Sequence, residues 1–210
     1  MSKHLTKGNK SILREASEWV LLIIVAFLIA SIIQSELFAL TEVNMESMME
    51  TLEPGDKLIM SKLSYSFDEP KRGDIIIFLR DEPINGIIGR ASIYLSDITK
   101  KINKEFRRNR LIKRVVGIPG DTVEIVDNVL YVNGIAQDEK YARIDSFTDT
   151  VLNGTMEKIV VQPNQLFVLG DNRGHSLDSR AFGVIDRSWV EGKAIFRVLP
   201  FKKFGPIDEK

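Results

Sequence analysis

The pattern of apolar and polar positions divides the chain in two. Residues 19–33, WVLLIIVAFLIASII, carry no charge and a single polar side chain, Ser31. An α-helix rises about 1.5 Å per residue, so this run spans about 22 Å, short of a hydrocarbon core of about 30 Å. Leu37, Phe38, Ala39 and Leu40 extend it to the required length and leave Glu36 near the far interface. The pattern predicts a tail over 1–18, a transmembrane helix over 19–40 and an outer domain over 41–210. A cleavable leader also has a short apolar core. No small-x-small site free of bulky residues follows Ile33 at once, although Ser35 and Ala39 keep that alternative open. Lys3, Lys7, Lys10 and Arg14 precede the run, and Glu36, Glu42, Glu46 and Glu50 follow it. By the positive-inside rule the N-terminus is cytoplasmic and the rest lies outside.

Past the run the periodicity becomes that of strands. KRGDIIIFL (71–79) is a short apolar run entered by a Gly-Asp turn, and LIKRVVGIPGDTVEIV (111–126) holds two more, parted by Pro119 and Gly120. In VEIVDNVLYVNG (123–134) the two-residue break Asp127-Asn128 separates alternating runs, a hairpin signal. Further strands are expected at 159–161, 165–170 and 193–199. Many short strands between turn signals predict a mainly β, antiparallel domain, barrel-like or sandwich-like. One stretch departs from this. Leu95, Ile98, Ile102 and Phe106 recur at helical spacing among Lys100, Lys101, Lys104, Arg107, Arg108 and Arg110, which predicts an amphipathic basic helix inserted at 80–110. Its apolar stripe either packs on the β domain or lies on anionic lipid headgroups. Nucleic acid is the poorest of the three partners, because the topology puts this segment outside the cell.

Composition narrows the chemistry. The 210 residues suffice for one good-sized domain plus an anchor. Lys plus Arg equals Asp plus Glu, 29 against 29, so no global field favours nucleic acid. Cysteine is absent, which excludes disulfides, Cys-based zinc sites and a thiol nucleophile; no cofactor or metal is expected.

The segment NMESMMETLEPGD (44–56) places Ser47 a few positions beyond the apolar run. Taken alone it reads as a linker entering a turn at Pro54 and Gly55. A hydrolytic serine needs a base to take its proton. His4 falls across the membrane under the predicted topology, and His175 sits in the polar loop DNRGHSLDSR, where a solvated histidine is the commoner case. Lysine is the other base available, as in Ser-Lys variants of the triad. A lysine titrates near about 10.4, so being half neutral at pH 7 needs a downward shift worth about 4–5 kcal/mol, which desolvation is large enough to supply. Lys113 lies in the apolar run LIKRVVG, on one face with Leu111 and Val115, and Arg114 lies opposite with Ile112 and Val116. Lys113 is the place where this chain could keep a lysine neutral. A lysine on the wet face of an edge strand is the ordinary alternative.

Several short blocks then occur in order. Ser47-Met48 is followed by Thr51-Leu52, then Arg72-Gly73-Asp74, then Lys113-Arg114 with Gly117, Pro119, Gly120 and Asp121, then Gly170-Asp171-Asn172-Arg173 with Ser176, Asp178, Ser179, Arg180 and Gly183. Together they closely resemble the blocks of the bacterial type I signal peptidases, membrane-anchored Ser/Lys proteases that remove signal peptides from exported proteins. The resemblance runs from the anchor to Pro200, broken by the basic insertion. It implies that Ser47 is the nucleophile, that Lys113 is its general base and that Ser176 orients the lysine. The Ser47 backbone N–H would contribute to an oxyanion hole, and Met48 would lie under the bound peptide. Asp171, Arg173, Arg180 and Arg114 are implied as structural support. The resemblance further implies a mostly antiparallel β fold in the bacterial cell membrane. Its implied partners are lipid and preproteins with small residues at positions 1 and 3 before the cut, bound by strand addition.

Two positions depart from the resemblance. Glu50 stands where proline is usual, and Met45 stands where glycine or serine is common. A carboxylate facing Lys113 would favour the charged amine, so Glu50 is expected to point to solvent, and Glu50→Pro is expected to preserve or raise activity. Met45 cannot donate a hydrogen bond to an oxyanion, so a second donor must come from elsewhere. Two other readings fit the same residues. One is a narrow-client or self-cleaving Ser/Lys protease; the other is a non-catalytic, membrane-tethered β domain that binds peptides.

Overall fold

The computed structural model describes residues 12–84, 86–103, 110–144 and 154–207. It opens with α1 (Ile12–Glu36), so the expected tail is helical from residue 12 onward. The helix ends sooner than expected. Its last four apolar positions divide between a turn at Leu37 and β1 (Phe38–Glu42), which pairs antiparallel with β2 (Lys57–Ser61) from Phe38 opposite Ser61 to Glu42 opposite Lys57. A partner strand satisfies the backbone of 38–42 and turns Ala39 onto the core, so apolar character alone does not prolong the helix. Among the described residues no helix is long and apolar enough to cross a membrane. The unbroken stretch of α1 with described side chains, 14–31, includes Arg14, Glu15 and Glu18.

The remaining elements follow the expected strand pattern closely. They are α2 (Ser64–Phe67), β3 (Ile75–Leu79), α3 (Gly86–Ile102), β4 (Arg110–Gly117), β5 (Thr122–Val126), β6 (Val129–Val132) and β7 (Ile135–Ala136). After these come β8 (Met156–Val160), β9 (Gln165–Leu169), α4 (Ser179–Phe182), β10 (Ile185–Asp186), β11 (Val190–Leu199) and β12 (Gly205–Pro206). The larger sheet runs β1-β2-β11-β3-β4-β9-β10 with β12 on β11, and the smaller runs β7-β6-β5-β8. Every pairing described between these strands is antiparallel. The β5–β6 hairpin turns on Asp127 and Asn128, both at positive φ, as a two-residue primed turn requires.

The centre of the larger sheet is covered on both faces. Ile75, Ile77 and Ile112 point into a cluster with Met48, Leu52, Leu58 and Met60. Ile76, Phe78, Leu111 and Val115 point the other way, into a cluster with Leu166, Val168 and Ile185. Each such buried side chain contributes about 1.5–3 kcal/mol relative to leaving it in water. The smaller sheet buries Val123, Ile125, Leu130 and Val132 against Val116, Phe167 and Leu169. Gly117 permits that approach: a Cβ there would lie 2.6 Å from Val123 Cγ2.

The inserted helix is α3, but its buried stripe is narrower than its periodicity suggests. Ile93 is buried and Ile98 half-buried, whereas Leu95 and Ile102 are 60% and 73% exposed. The reason is that α3 lies against α1 rather than flat on the sheet, so only part of its apolar arc meets protein. Lys100 and Lys101 occupy its last turn, where cations complement the helix dipole. Lys104, Phe106, Arg107 and Arg108 fall outside the described residues.

Candidate active site

Ser47 sits in a single 3-10 turn, Glu46–Met48, between β1 and β2. From below, the turn is fixed by Met48 and Leu52, both in the core, with Leu52 N–H donating to Met48 O at 2.7 Å. From the side it is fixed by Asn172, whose backbone N–H donates to Ser47 O and whose Nδ2 donates to Glu46 O, each at 3.1 Å. The hydroxyl-bearing residue is 7% exposed.

Lys113 reaches it from β4. This strand lies between β3 and β9, so the wet edge-strand alternative does not apply, and Lys113 is 1% exposed. Its Nζ donates to Ser47 Oγ at 2.6 Å and to Ile112 O at 3.1 Å. Burial pushes the Lys113 amine down to about 8; the charges of Asp178 and Asp171 oppose the shift and that of Arg180 assists it. About a tenth of the lysine is then neutral at pH 7. A buried amine in contact with a buried hydroxyl can take the hydroxyl proton, which is what an activated serine nucleophile needs. His175 is exposed in its loop.

Ser176 is buried at the edge of the same site, and its Oγ has no hydrogen-bond partner among the described residues. The two bonds made by Lys113 Nζ go to Ser47 and Ile112 O. Gly170 lets the loop close here, because a Cβ at that position would strike Ser176 Oγ and stand 2.5 Å from Ser47 O.

The charged residues implied as support form a buried frame. Arg114 donates to Asp171 from Nε at 2.9 Å and Nη2 at 2.7 Å, donates to Gly73 O, and lies 4.0 Å over the Tyr141 ring. Thr51 Oγ1 donates to Asp171 Oδ2 at 2.5 Å, which ties the segment that carries Ser47 to the same carboxylate. Arg173 forks onto Glu139 at 2.7 and 2.5 Å and donates to Gly170 O. Arg180 forks onto Asp178, whose Oδ2 accepts from Gly170 N–H, and Arg180 also donates to Arg173 O. Bidentate guanidinium pairs of this kind fix direction as well as distance. None of these four residues contacts the Ser47 hydroxyl through a described bond; they set the backbone around it.

Three contributors escaped the sequence reading. Asn172 stood inside a quoted block, and its amide was the available signal. Glu139 and Tyr141 had none: Glu139 meets Arg173 across 34 residues, and burial pushes the Tyr141 phenol well above its ordinary range. Their segment is stitched to the site loop by Arg143 N–H to Asp171 O at 2.7 Å and by Arg173 N–H to Arg143 O at 2.9 Å.

Glu50 corrects an expectation. Its carboxylate does point outward, 56% exposed and 3.7 Å from Arg143. Its φ, however, is +85°, and Thr51 N–H donates to Met48 O at 3.1 Å, so residues 48–51 form a type II turn with Glu50 in the left-handed position. Proline is fixed near φ of about −65° and cannot occupy this conformation. The expected tolerance of Glu50→Pro is therefore withdrawn. Met45 is exposed and, with Leu40, Thr41, Ser47, Met48 and Arg110, lines a groove enclosing about 170 Å³.

Comparison with known proteins shows the family. The profile of the family described as "Signal peptidase, peptidase S26" matches residues 16–199. Signal peptidase IB of Staphylococcus aureus is 32% identical over 203 residues, covering 91% of this chain and 93% of that protein. Signal peptidase I of Bacillus caldolyticus is 36% identical over 169 residues, covering 76% and 78% respectively. A crystal structure of a signal peptidase I from Enterococcus faecalis V583 aligns with 60% of this chain and 97% of that one, at 31% identity and a TM-score of 0.40. With a family match that spans both β1 and β11, and full-length relatives above 30% identity, the chain belongs to the signal peptidase family, peptidase S26.

Proposed function

We propose that this chain is a serine endopeptidase that removes N-terminal signal peptides from exported preproteins, with Ser47 as nucleophile and Lys113 as general base. The observation that carries the proposal is the 2.6 Å contact between Lys113 Nζ and Ser47 Oγ in a site where the amine is desolvated. In its neutral form the amine accepts the Ser47 proton while Oγ attacks the scissile carbonyl. The resulting ammonium returns that proton to the leaving amine as the C–N bond breaks. Water then attacks the acyl-enzyme, losing a proton to the again neutral Lys113, which passes it to Ser47 Oγ as the ester C–O bond breaks and the cleaved segment leaves. The Ser47 backbone N–H is offered as an oxyanion donor, and Ser176 as a neighbour that orients the lysine during turnover.

The substrate side of the proposal rests on the groove. Strand β1 is the edge of the larger sheet and borders the groove, so an extended peptide can add to it as a further strand. A space of about 170 Å³ suits small side chains at alternate positions, with Met48 at its floor.

The anchor belongs to the same proposal. Helix α1 has 25 residues, a length of about 37 Å at 1.5 Å per residue. Trp19, Leu21, Ile23, Phe27 and Leu28 are all more than half exposed, so even with α3 alongside the helix most of its apolar surface has no cover among the described residues. Lipid is the cover we assign to them, with the N-terminus cytoplasmic and the β body outside.

The decisive experiment incubates the detergent-solubilised chain with a preprotein and compares wild type, Ser47→Ala and Lys113→Ala. Cleavage after a small-x-small sequence, lost in both variants, is expected. Normal processing by either variant would sink the dyad.

A further inference from the structure

A second cavity, of about 770 Å³, opens beside the groove, between α1 and α3. Its apolar walls come from Phe27 of α1, Leu40 of β1, Met60 of β2, and Ile98 and Ile102 of α3. Phe27, Leu40 and Ile102 are each more than 60% exposed, so large apolar side chains ring a concavity that none of the described residues fills. This cavity adjoins the groove at Ser47, with Leu40, Thr41 and Arg110 lining both.

Arg110, at the junction, is a fixed wall. Its Nε donates to Glu191 and its Nη2 to Asp97 of α3, each at 2.5 Å, and Glu191 is also paired with the buried Lys62 at 3.3 Å. The guanidinium is thereby neutralised from two sides, and the inserted helix is held in place as the outer wall of the cavity.

We infer that this cavity receives the apolar part of the substrate that precedes the cut; the inference rests on the signal-peptidase reading above. A chain lying in the groove beside Ser47 has to leave it at both ends, and this cavity borders the groove. The segment removed from a preprotein carries an apolar run, whereas the segment kept is under no such constraint. The lining is apolar over most of its area, with Lys101, Asp97 and Arg110 also bordering it, and suits the former. The proposed anchor α1 supplies Phe27 to the wall, so a segment leaving the bilayer next to α1 meets the cavity first. The volume falls within the range of about 300–1,000 Å³ typical of ligand pockets, enough for a few apolar side chains and too small for a whole helix.

The test uses the full chain, Ile98→Asp/Ile102→Asp, and Leu95→Asp as a control on the same helix outside the lining. Each is assayed on a preprotein with its complete apolar run and on a short peptide that keeps only the small-x-small site. The double variant is expected to lose on the order of tenfold or more in kcat/KM on the preprotein relative to its loss on the peptide, and the control no such excess. Equal losses on both substrates, or no loss, would overturn the inference. In a second arm, Ser47→Ala protein is mixed with a preprotein carrying a photoreactive group within the apolar run. Crosslinks to α3 or Phe27, suppressed by the double substitution, are expected. Their absence, or their abolition by phosphatidylglycerol vesicles while the preprotein stays bound, would assign the cavity to lipid instead. A short peptide that wild type cannot cut counts against the peptidase reading, and the crosslink still decides the cavity.

Discussion

The amine of Lys113 and the hydroxyl of Ser47 stand 2.6 Å apart, 66 residues separated in sequence, with 1% and 7% of their surfaces exposed. Bringing them together costs the protein a charged amine removed from water, and that cost is what makes the amine usable as a base near neutral pH. Measurable consequences follow from this contact and from the loops that hold it.

Because burial holds the Lys113 amine down to about 8, the reactive neutral fraction grows as pH rises through that value. At one pH unit below it, kcat/KM should be about a tenth of its plateau. A kcat/KM profile on a short peptide between pH 6 and 10 measures this. A flat profile, or one with its midpoint near an ordinary lysine value, would remove Lys113 from the role of base.

The same group links stability to pH. Its folded pKa lies below its unfolded value of 10.5, so between about 8 and 10.5 the unfolded state holds the proton that the folded state has lost, and stability rises with pH across that window. Below about 8 both states are protonated, and the folded state carries the full cost of a buried charge, about 3 kcal/mol. Lys113→Met, inactive, should therefore be more stable than wild type at pH 6 and lack the rise above pH 8. Urea titrations at several pH values read both effects.

Gly170 lies where its own loop, Ser176 and the turn of Ser47 meet. An added Cβ would strike Ser176 Oγ and stand 2.5 Å from Ser47 O, and that backbone carbonyl cannot move without shifting the turn that holds Ser47. Gly170→Ala should reduce kcat by about 10²-fold or more, the scale expected for a displacement near 1 Å at a reacting group. Near-normal kcat in folded Gly170→Ala protein would show that the turn tolerates the shift.

At Glu50 the two substitutions of interest should move stability in opposite directions. Glycine removes the left-handed penalty, worth about 1–2 kcal/mol for a residue with a Cβ, at the loss of an exposed ion pair with Arg143 that contributes little. Proline forces φ away from +85° and should destabilise the turn by about 3 kcal/mol or more, with activity lost in parallel. Thermal melts of Glu50→Gly and Glu50→Pro decide this, and a stable, active proline variant would mean the turn can adopt another type.

Much of this protein was legible from local pattern. The alternation in 123–134 and its Asp-Asn break gave the β5–β6 hairpin, the apolar run at 75–79 gave β3, and the helical spacing after residue 86 gave α3. The order of the short blocks located Ser47 and Lys113. Local pattern was not enough at Phe38–Glu42, where an apolar continuation of the helix became an edge strand because β2 offered it a partner. It was not enough at Leu95 and Ile102 either, where helical periodicity marked an apolar face but could not say that α1 would leave it uncovered. Glu139 and Tyr141 support the site through contacts with sequentially distant segments, and no spacing rule connects them to it. The decisive case is Lys113. Alternation in LIKRVVG assigns it a face, but whether that face meets water or protein depends on β3 and β9 lying to either side and on the clusters above and below. The sequence thus determined which residues could perform the chemistry. Only the tertiary structure decided that the lysine would be desolvated and within reach of the serine, because desolvation is a property of what surrounds a side chain and not of its neighbours along the chain.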